Sequence, residues 1–173
     1  WVVNDGDSDS SAVTSTISVT AVNDAPVLTA PTNGTITETD GSSDTTTSGL
    51  TGTLSATDAD ADTLAYSITG GTVASGTSTL AGTYGLLAVN TTTSAYIYTP
   101  TSAAVEALCA GVVTDSFTVS VSDGTATTTS TYTANITGAD DPAVISAGTS
   151  GSGTEDTTIT GTLSATDVEG LAD

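Results

Sequence analysis

The sequence predicts an all-β protein, a sandwich of about seven short strands that is repeated in tandem. Thr makes up about a quarter of the 173 residues and strong helix formers are scarce, a composition that favours strands and turns. Apolar residues recur at every second position in short runs that are separated by Gly, Asn and Asp. The octapeptide Thr-Gly-Thr-Leu-Ser-Ala-Thr-Asp at 51–58 also returns unchanged at 160–167. This recurrence predicts more than one copy of the same unit.

The head of the chain has the pattern of the last hairpin of such a sandwich. An Asn4-Asp5-Gly6 turn precedes residues 15–21, in which every second residue faces the same side of an expected strand with one buried face. The segment 117–137 repeats this pattern around an Asp-Gly turn that lies about 118 residues further on. A spacing of that length indicates whole domains in series rather than small repeats.

A short acidic joint that contains proline follows each copy of this hairpin. The first joint is Val22-Asn23-Asp24-Ala25-Pro26 and the second joint is Ala139-Asp140-Asp141-Pro142. Pro stops strand pairing from running through a joint. We therefore expect three segments: residues 1–24 are the C-terminal strands of a preceding repeat plus a linker, 25–141 are a complete repeat, and 142–173 are the N-terminal strands of the following repeat.

The complete repeat contains the expected strands in the order of an immunoglobulin-type sandwich. A short helical turn or loop is expected at 103–110. The predicted strands are an opening strand at 27–39, a second at 50–57, a third through Leu64, Tyr66 and Ile68, a hairpin at 83–90 and 94–99, and a closing hairpin at 117–137.

The charge balance excludes several classes of function. The chain has no Lys, Arg or His and 20 acidic residues, so its formal charge is −20. Nucleic-acid binding needs basic contacts to phosphate, and attraction to anionic lipid needs the same residues. No apolar run is long enough to span a bilayer. Internal repulsion of this size opposes compaction, so we expect cations to stabilise the fold.

The missing residue types also argue against an enzyme. Without His, Lys or Arg the chain cannot form a serine triad, a cysteine-histidine pair, a Schiff base, a P-loop or a histidine-ligated zinc site. A carboxylate pair for glycoside hydrolysis remains, but it usually lies in a cleft rich in aromatic residues, and this chain has few. We therefore expect no enzymatic activity.

Several single residues leave alternatives open. Cys109 has no second Cys to pair with, and its apolar neighbours favour a buried, inert thiol over an intermolecular bridge or a reactive site. The stretch Asp5–Asp9 is an acidic hairpin tip, or else a weak ion site without the closing Glu of a calcium loop. Four tyrosines are expected in the core and are the sole candidates for carbohydrate binding by a sandwich face: Tyr66, Tyr96, Tyr98 and Tyr132.

Carboxylates gather at the two expected joints, which predicts calcium there. In an immunoglobulin-type sandwich, the loop after the second strand and the turn of the last hairpin lie at the end that bears the first joint. The expected first cluster is Asn23, Asp24, Asp58, Asp60, Asp62 and Asp123. At the opposite end, the expected second cluster is Glu38, Glu106, Asp140, Asp141 and Asp167, with Asp40 and Glu169 as further candidates. Calcium takes six to eight oxygen ligands, so one loop alone supplies too few. Taken singly, each carboxylate is as consistent with a solvated surface charge.

Three motifs resemble the VCBS and cadherin-like tandem repeats of large bacterial surface proteins. They are Gly153-Thr154-Glu155-Asp156 before the octapeptide at 160–167, the run from Val113 to Gly124, and Asn23-Asp24-Ala25-Pro26. The resemblance implies an extracellular array, usually exported by a type I system, that serves as an adhesin stalk or matrix component with calcium at its domain joints.

The resemblance also implies ion ligands, and the sequence departs from it at several of them. In the cadherin arrangement a glutamate on the first strand, another after the fifth strand, an acidic linker and an Asp-x-Asp loop share ions. Glu38, Glu106 and the joints match these positions. However, no Arg lies beside Glu106, the linkers lack the full Asp-x-Asn-Asp-Asn, and Asp-x-Glu replaces Asp-x-Asp at 167 and 169.

Two functional hypotheses follow. In the first, the chain is a calcium-rigidified structural repeat of a long secreted or cell-surface protein, either an adhesin stalk or a matrix component. In the alternative, it is the subunit of an extracellular filament, sheath or surface layer assembled by strand exchange, although the head and tail of two neighbours supply about four of seven strands. The expected partners are neighbouring repeats or neighbouring subunits, with cell-surface or matrix ligands beyond them. The expected location is extracellular.

Overall fold

The computed structural model describes residues 1–39, 49–148 and 150–170, and these residues are almost entirely β-structure. The prediction of an all-β fold is confirmed. The elements, in chain order, are β1 Val27–Leu28, β2 Gly34–Thr37, β3 Leu50–Thr53, β4 Ala56–Thr57, β5 Ala65–Ile68, β6 Thr72–Ala74, β7 Thr77–Ala81, β8 Gly85–Asn90, β9 Ala95–Pro100, α1 Ser102–Glu106, β10 Gly111–Ser122, β11 Thr127–Gly138, β12 Val144–Ala147 and β13 Ser164–Thr166.

Two sheets form the sandwich. The four-stranded sheet has the order β2-β11-β10-β5, and the five-stranded sheet has the order β3-β9-β8-β7-β6. All neighbours are antiparallel except β2, which runs parallel to β11 with Gly34 opposite Ala134. Two further strand pairs lie beside the joints. β1 pairs with β4 at the first joint, and β12 pairs with β13 after the second.

The core consists of the residues that the alternating pattern directs inward from both sheets. Four tyrosines belong to it, because Tyr66, Tyr96, Tyr98 and Tyr132 are all at most 9% exposed. Tyr96 packs against Tyr132 with ring centroids 5.0 Å apart, a tilted arrangement that aromatic pairs prefer. The prediction that these rings are core residues is confirmed, and none of them offers an exposed face for a sugar.

The core also holds a carboxylate that the sequence did not reveal. Asp115 on β10 is 4% exposed. Its Oδ1 accepts a hydrogen bond from the backbone N–H of Thr83 (2.8 Å), and its Oδ2 accepts from the N–H of Tyr84 (3.0 Å) and the hydroxyl of Tyr98 (2.8 Å). Burial, together with this hydrogen bond and the charge of Asp115, raises the pKa of Tyr98 above its ordinary value. Asp115 thereby fixes the loop between β7 and β8 to the opposite sheet.

Several expected strands differ in detail. The predicted opening strand at 27–39 divides into β1 and β2, because Pro31 lacks the N–H that a continuous ladder needs. The predicted strand at 50–57 divides at Leu54, whose N–H bonds to the carbonyl of Ser94 before the chain turns to pair with β1. The hairpin of β6 and β7 was not predicted, since its Thr, Ser and Ala residues show no apolar alternation.

Two expectations are wrong, one about a strand at residues 15–21 and one about the burial of Cys109. The predicted full strand at 15–21 does not form, and Ile17 and Val19 are 86% and 89% exposed. An alternating run becomes a strand only against partners, and no strand among the described residues pairs with it. Cys109 is exposed rather than buried. It lies in the turn between α1 and β10, where the neighbouring Leu108 packs against the core instead.

Candidate metal centres at the two joints

The first cluster is built on the loop that follows β4. Asp58, Asp60 and Asp62 each offer a carboxylate oxygen, and these atoms lie within 4.8 Å of one another. The backbone N–H groups of Asp60 and Asp62 donate to Oδ1 of Asp58 (3.0 and 3.3 Å), and Ala61 adopts a left-handed φ of 60° that closes the loop. Oδ2 of Asp58 is buried and has no hydrogen-bond partner among the described residues. The loop therefore directs its oxygens toward one point.

The first joint is hydrogen-bonded to this end of the sandwich. The backbone N–H of Asp24 donates to Oδ2 of Asp60 (2.7 Å), and the side-chain amide of Asn23 donates to Oδ2 of Asp123 (3.0 Å). The N–H groups of Ala126 and Thr125 donate to Oδ1 of Asp123 (2.6 Å each). The bond from Ala126, then those from Asn23 and Thr125, hold the pKa of Asp123 below its usual value. Residues from the joint, the loop and the β10–β11 turn thus meet here.

The second cluster lies at the other end of the sandwich and is more buried. Glu38 follows β2 and is 5% exposed, Glu106 ends α1 and is 7% exposed, and Asp141 in the second joint is half-buried. Their nearest carboxylate oxygens lie within 4.8 Å of one another. The backbone N–H of Ala139 donates to Oε2 of Glu38 (2.7 Å). Oε1 of Glu38 is buried and accepts no hydrogen bond from the described residues.

The protonation of Glu38 reflects this crowding. Burial raises the pKa of the Glu38 carboxyl above its ordinary value, the hydrogen bond from Ala139 opposes that rise, and the charges of Asp141 and Glu169 add to it. The chain has no basic side chain that could lower this pKa instead. The carboxylate of Glu38 is consequently held in a setting that favours either a proton or an external cation.

The segment after the second joint completes this cluster. The N–H of Asp141 donates to Oε1 of Glu169 (3.1 Å), and the N–H of Glu169 donates to Oδ1 of Asp167 (3.1 Å). Oε2 of Glu169 is buried and has no hydrogen-bond partner within the described part of the chain. Asp140 is exposed, and Asp40 lies outside the described residues. A cavity of about 490 Å³ opens beside the cluster and is lined by Glu106, Asp141, Pro142, Val144, Thr166, Asp167 and Val168.

The two joints share their local geometry. Asp24 donates to Asp60 at the first joint as Asp141 donates to Glu169 at the second. Asp58 accepts from the residue two positions later, and Asp167 does the same. The turns match too: Asn4 and Asp5 accept from the N–H groups of residues 6, 7 and 8, as Ser122 and Asp123 accept from those of 124, 125 and 126. Glu169 therefore occupies the position of Asp60, and its longer side chain keeps the hydrogen bond.

The ligand chemistry at both joints suits a hard divalent cation. Every side chain in the two carboxylate groups offers oxygen as its ligand atom, and calcium prefers oxygen ligands at roughly 2.3–2.6 Å. Two ligands on opposite sides of such an ion stand about 4.8 Å apart, so oxygens within that distance can share it. Three carboxylates offer up to about six oxygens, which approaches the number that calcium takes. The residues present therefore fit the ion.

A β-sandwich with oxygen-rich clusters at both of its chain joints is a domain of cadherin type. Comparison with protein families matches residues 23–138, about two thirds of the chain, to the bacterial cadherin-like domain, and the chain belongs to this family. No curated protein matches the chain. The family match does not extend to the VCBS repeats, so that part of the resemblance stays a prediction.

Family membership places the chain among structural domains. Bacterial cadherin-like domains occur in extracellular and surface proteins, are typically non-enzymatic and commonly bind calcium. Across the described residues, no helix has the length and apolar character that a membrane crossing requires.

Proposed function

We propose that the chain is a calcium-rigidified structural repeat of a long secreted or cell-surface protein, an adhesin stalk or matrix component. Each joint changes from a flexible hinge to a stiff connection when calcium binds. The partners of the repeat are its neighbours in the same polypeptide, and ligands at the cell surface or in a matrix lie beyond it.

One observation supports this function above the others: Oε1 of Glu38 is buried without a hydrogen-bond partner, within 4.8 Å of oxygens from Glu106 and Asp141. A buried carboxylate oxygen is costly unless it binds a donor or a metal. The carboxylates around it would repel one another by about 3 kcal/mol per pair at this separation and an effective dielectric constant near 20. A divalent cation removes both penalties at once.

The residues that would hold the ion come from three parts of the chain. Glu38 and Glu106 belong to the sandwich, Asp141 to the second joint, and Asp167 and Glu169 to the segment after it. Calcium supplies positive charge that neutralises these groups together. Because the backbone of the joint already donates to Glu38 at residue 139 and to Glu169 at residue 141, an ion between the two sides would fix the angle of the joint.

Small-angle scattering of the intact chain, with calcium and then with a chelator, tests this proposal. Calcium should give one sharply defined maximum dimension, and its removal should broaden the distribution of distances. Glu106→Gln should weaken the response to calcium. Asp156→Asn removes the same charge at an exposed site outside both clusters, where the left-handed φ of 67° suits Asn, and should respond like the natural chain. An identical profile with and without calcium would refute the proposal.

The alternative, a filament or surface-layer subunit assembled by strand exchange, is supported by the alternating run at 15–21. Its apolar residues, including Ile17 and Val19, are exposed, and their pattern suits a strand with one buried face. Under this alternative another chain would cover that face. Sizing the purified chain tests it: a multimer that Ile17→Asp converts to monomer would favour exchange, and a monomeric natural chain would argue against it.

A further inference from the structure

The two carboxylate clusters differ in how far water reaches them. At the second joint, Glu38 and Glu106 are 5% and 7% exposed, and Asp141 is half-buried. In the loop of the first cluster, by contrast, Asp60 and Asp62 are exposed. An ion at the second joint must therefore exchange most of its water for protein oxygens, whereas an ion in the loop can keep part of its water shell.

The carboxylate of Glu38 indicates that an ion at the second joint is bound directly. Its Oε2 accepts a hydrogen bond from the N–H of Ala139, but its Oε1 is buried and has no hydrogen-bond partner among the described residues. A buried carboxylate oxygen is costly without a donor or a metal. One oxygen from each of Glu38, Glu106 and Asp141 lies within 4.8 Å of the other two, so a single bare ion can contact all three side chains.

The cavity beside this cluster offers little to the water shell of an ion. Pro142, Val144 and Val168 form part of its lining, and their side chains accept no hydrogen bonds. A buried water needs about two to four polar partners. The acidic members of the lining can bind the ion themselves. The cavity thus gives an ion a route to the cluster along which it exchanges water for carboxylate.

The loop at the first joint already uses part of its carboxylate oxygen for backbone hydrogen bonds. Oδ1 of Asp58 accepts from the N–H groups of Asp60 and Asp62, and Oδ2 of Asp60 accepts from the N–H of Asp24. An ion here contacts fewer protein oxygens and completes its coordination with water. Magnesium is usually bound in this way, because it keeps several waters and contacts one or two carboxylates.

We propose, on the basis of the calcium binding proposed above, that the two joints select different ions: the second joint binds calcium and excludes magnesium, and the first joint accepts either. Calcium takes six to eight oxygens in a flexible geometry. Magnesium requires near-octahedral coordination at roughly 2.0–2.1 Å and gives up water reluctantly, so it does not replace calcium at the buried second joint. Where magnesium is abundant, the first joint is occupied at all times, and the second joint alone responds to calcium.

Two-dimensional amide NMR of the intact 16.7 kDa chain tests this difference at individual residues. The N–H groups of Asp60 and Asp62 donate to Asp58 and report the first joint, whereas the N–H of Ala139 donates to Glu38 and reports the second. MgCl2 should move the signals of Asp60 and Asp62 and leave that of Ala139 in place, and CaCl2 should move all of them. KCl at matched ionic strength controls for screening.

Competition between the ions gives the expected magnitude. For a magnesium Kd of about 1 mM, about 10 mM MgCl2 should raise the apparent Kd for calcium about tenfold at Asp62 and less than about twofold at Ala139. Asp62→Asn should weaken the magnesium response of Asp60, and Glu106→Gln should weaken the calcium response of Ala139. Asp156→Asn, at an exposed site outside both clusters, should change neither.

The outcomes separate the ion selectivity from the proposed function. If MgCl2 moves the signal of Ala139 as far as CaCl2 does, or leaves the signals of Asp60 and Asp62 in place, the selectivity is overturned, and stiffening by calcium stands. If CaCl2 leaves the signal of Ala139 in place, both the selectivity and the proposed function are overturned. The natural chain alone gives each of these results, so they do not depend on the folding of a variant.

Discussion

Replacing Tyr98 by Phe should destabilise the sandwich, whereas the same change at Tyr132 should not. Both rings are almost fully buried, at 0% and 1% exposure. The hydroxyl of Tyr98 donates to Oδ2 of Asp115 at 2.8 Å, but the hydroxyl of Tyr132 is buried with no hydrogen-bond partner among the described residues. The two substitutions therefore remove the same atom from two opposite settings.

The magnitudes follow from these contacts. A hydrogen bond to a charged group contributes about 1.5–3 kcal/mol, so Tyr98→Phe should lower the free energy of unfolding by about 2 kcal/mol. Tyr132→Phe removes a buried hydroxyl that gains nothing from the protein, so the free energy of unfolding should stay within about 0.5 kcal/mol or rise. Asp115→Asn, combined with Tyr98→Phe in a double-mutant cycle, should show that the two effects are not additive.

Urea unfolding at fixed calcium concentration, followed by circular dichroism, measures these differences. With a slope of about 2 kcal/mol per molar urea, Tyr98→Phe should lower the midpoint by roughly 1 M. Tyr132→Phe serves as the matched control. Equal midpoints for the two variants, or a larger loss in Tyr132→Phe, would contradict the assignment of Asp115 as the partner that stabilises this part of the core.

Four further predictions concern the protonation of Tyr132 and Glu38, the backbone strain at Ala61 and the first cluster. Burial raises the pKa of Tyr132 to about 12. The stability that comes from this shift is complete below about pH 10 and is lost as the pH rises through 12. In urea unfolding between about pH 9 and 11.5, the free energy of unfolding should therefore fall less in Tyr132→Phe than in the natural chain. Because the pKa of Glu38 is raised, acidification in chelator should stabilise the fold, and Glu38→Gln should flatten that dependence in thermal scans at pH 4 to 7. Ala61→Gly relieves a left-handed φ and should stabilise the loop by up to about 1 kcal/mol, which would raise the midpoint of urea unfolding. Asp58→Asn should weaken the calcium affinity that calorimetry measures, with Asp156→Asn as its control.

The sequence predicts those parts of the fold in which apolar alternation coincides with a sheet face. Tyr66 and Ile68 on β5, and Tyr96 and Tyr98 on β9, alternate in the sequence and are buried in the structure. The repeated octapeptide also predicts that residues 58 and 167 stand in equivalent positions, and both accept the hydrogen bond from two residues later. In these places local pattern and tertiary contact agree, because one face of each strand is buried.

Features set by partners distant in sequence could not be predicted in this way. No sequence pattern marks Asp115 as a buried residue. Its role in the core depends on two backbone N–H groups that lie more than 30 residues away. Residues 15–21 alternate as a strand should, yet remain exposed, since alternation encodes a face but supplies no partner. Glu169 stands where the pattern expects Asp, and the hydrogen bond that it accepts from the N–H of Asp141 shows that the extra methylene is accommodated.

The parallel pairing of β2 with β11 has a mechanical consequence. These are the first and last strands of the four-stranded sheet in chain order, and they align over four residue pairs from Gly34 opposite Ala134 to Thr37 opposite Thr137. Because the strands run in the same direction, tension between the two joints pulls β2 toward one end and β11 toward the other. The ladder is then loaded in shear, so its hydrogen bonds resist together instead of opening one after another as in a zipper. A domain pulled at its joints would thus resist unfolding through the β2–β11 ladder, whose hydrogen bonds would have to break together.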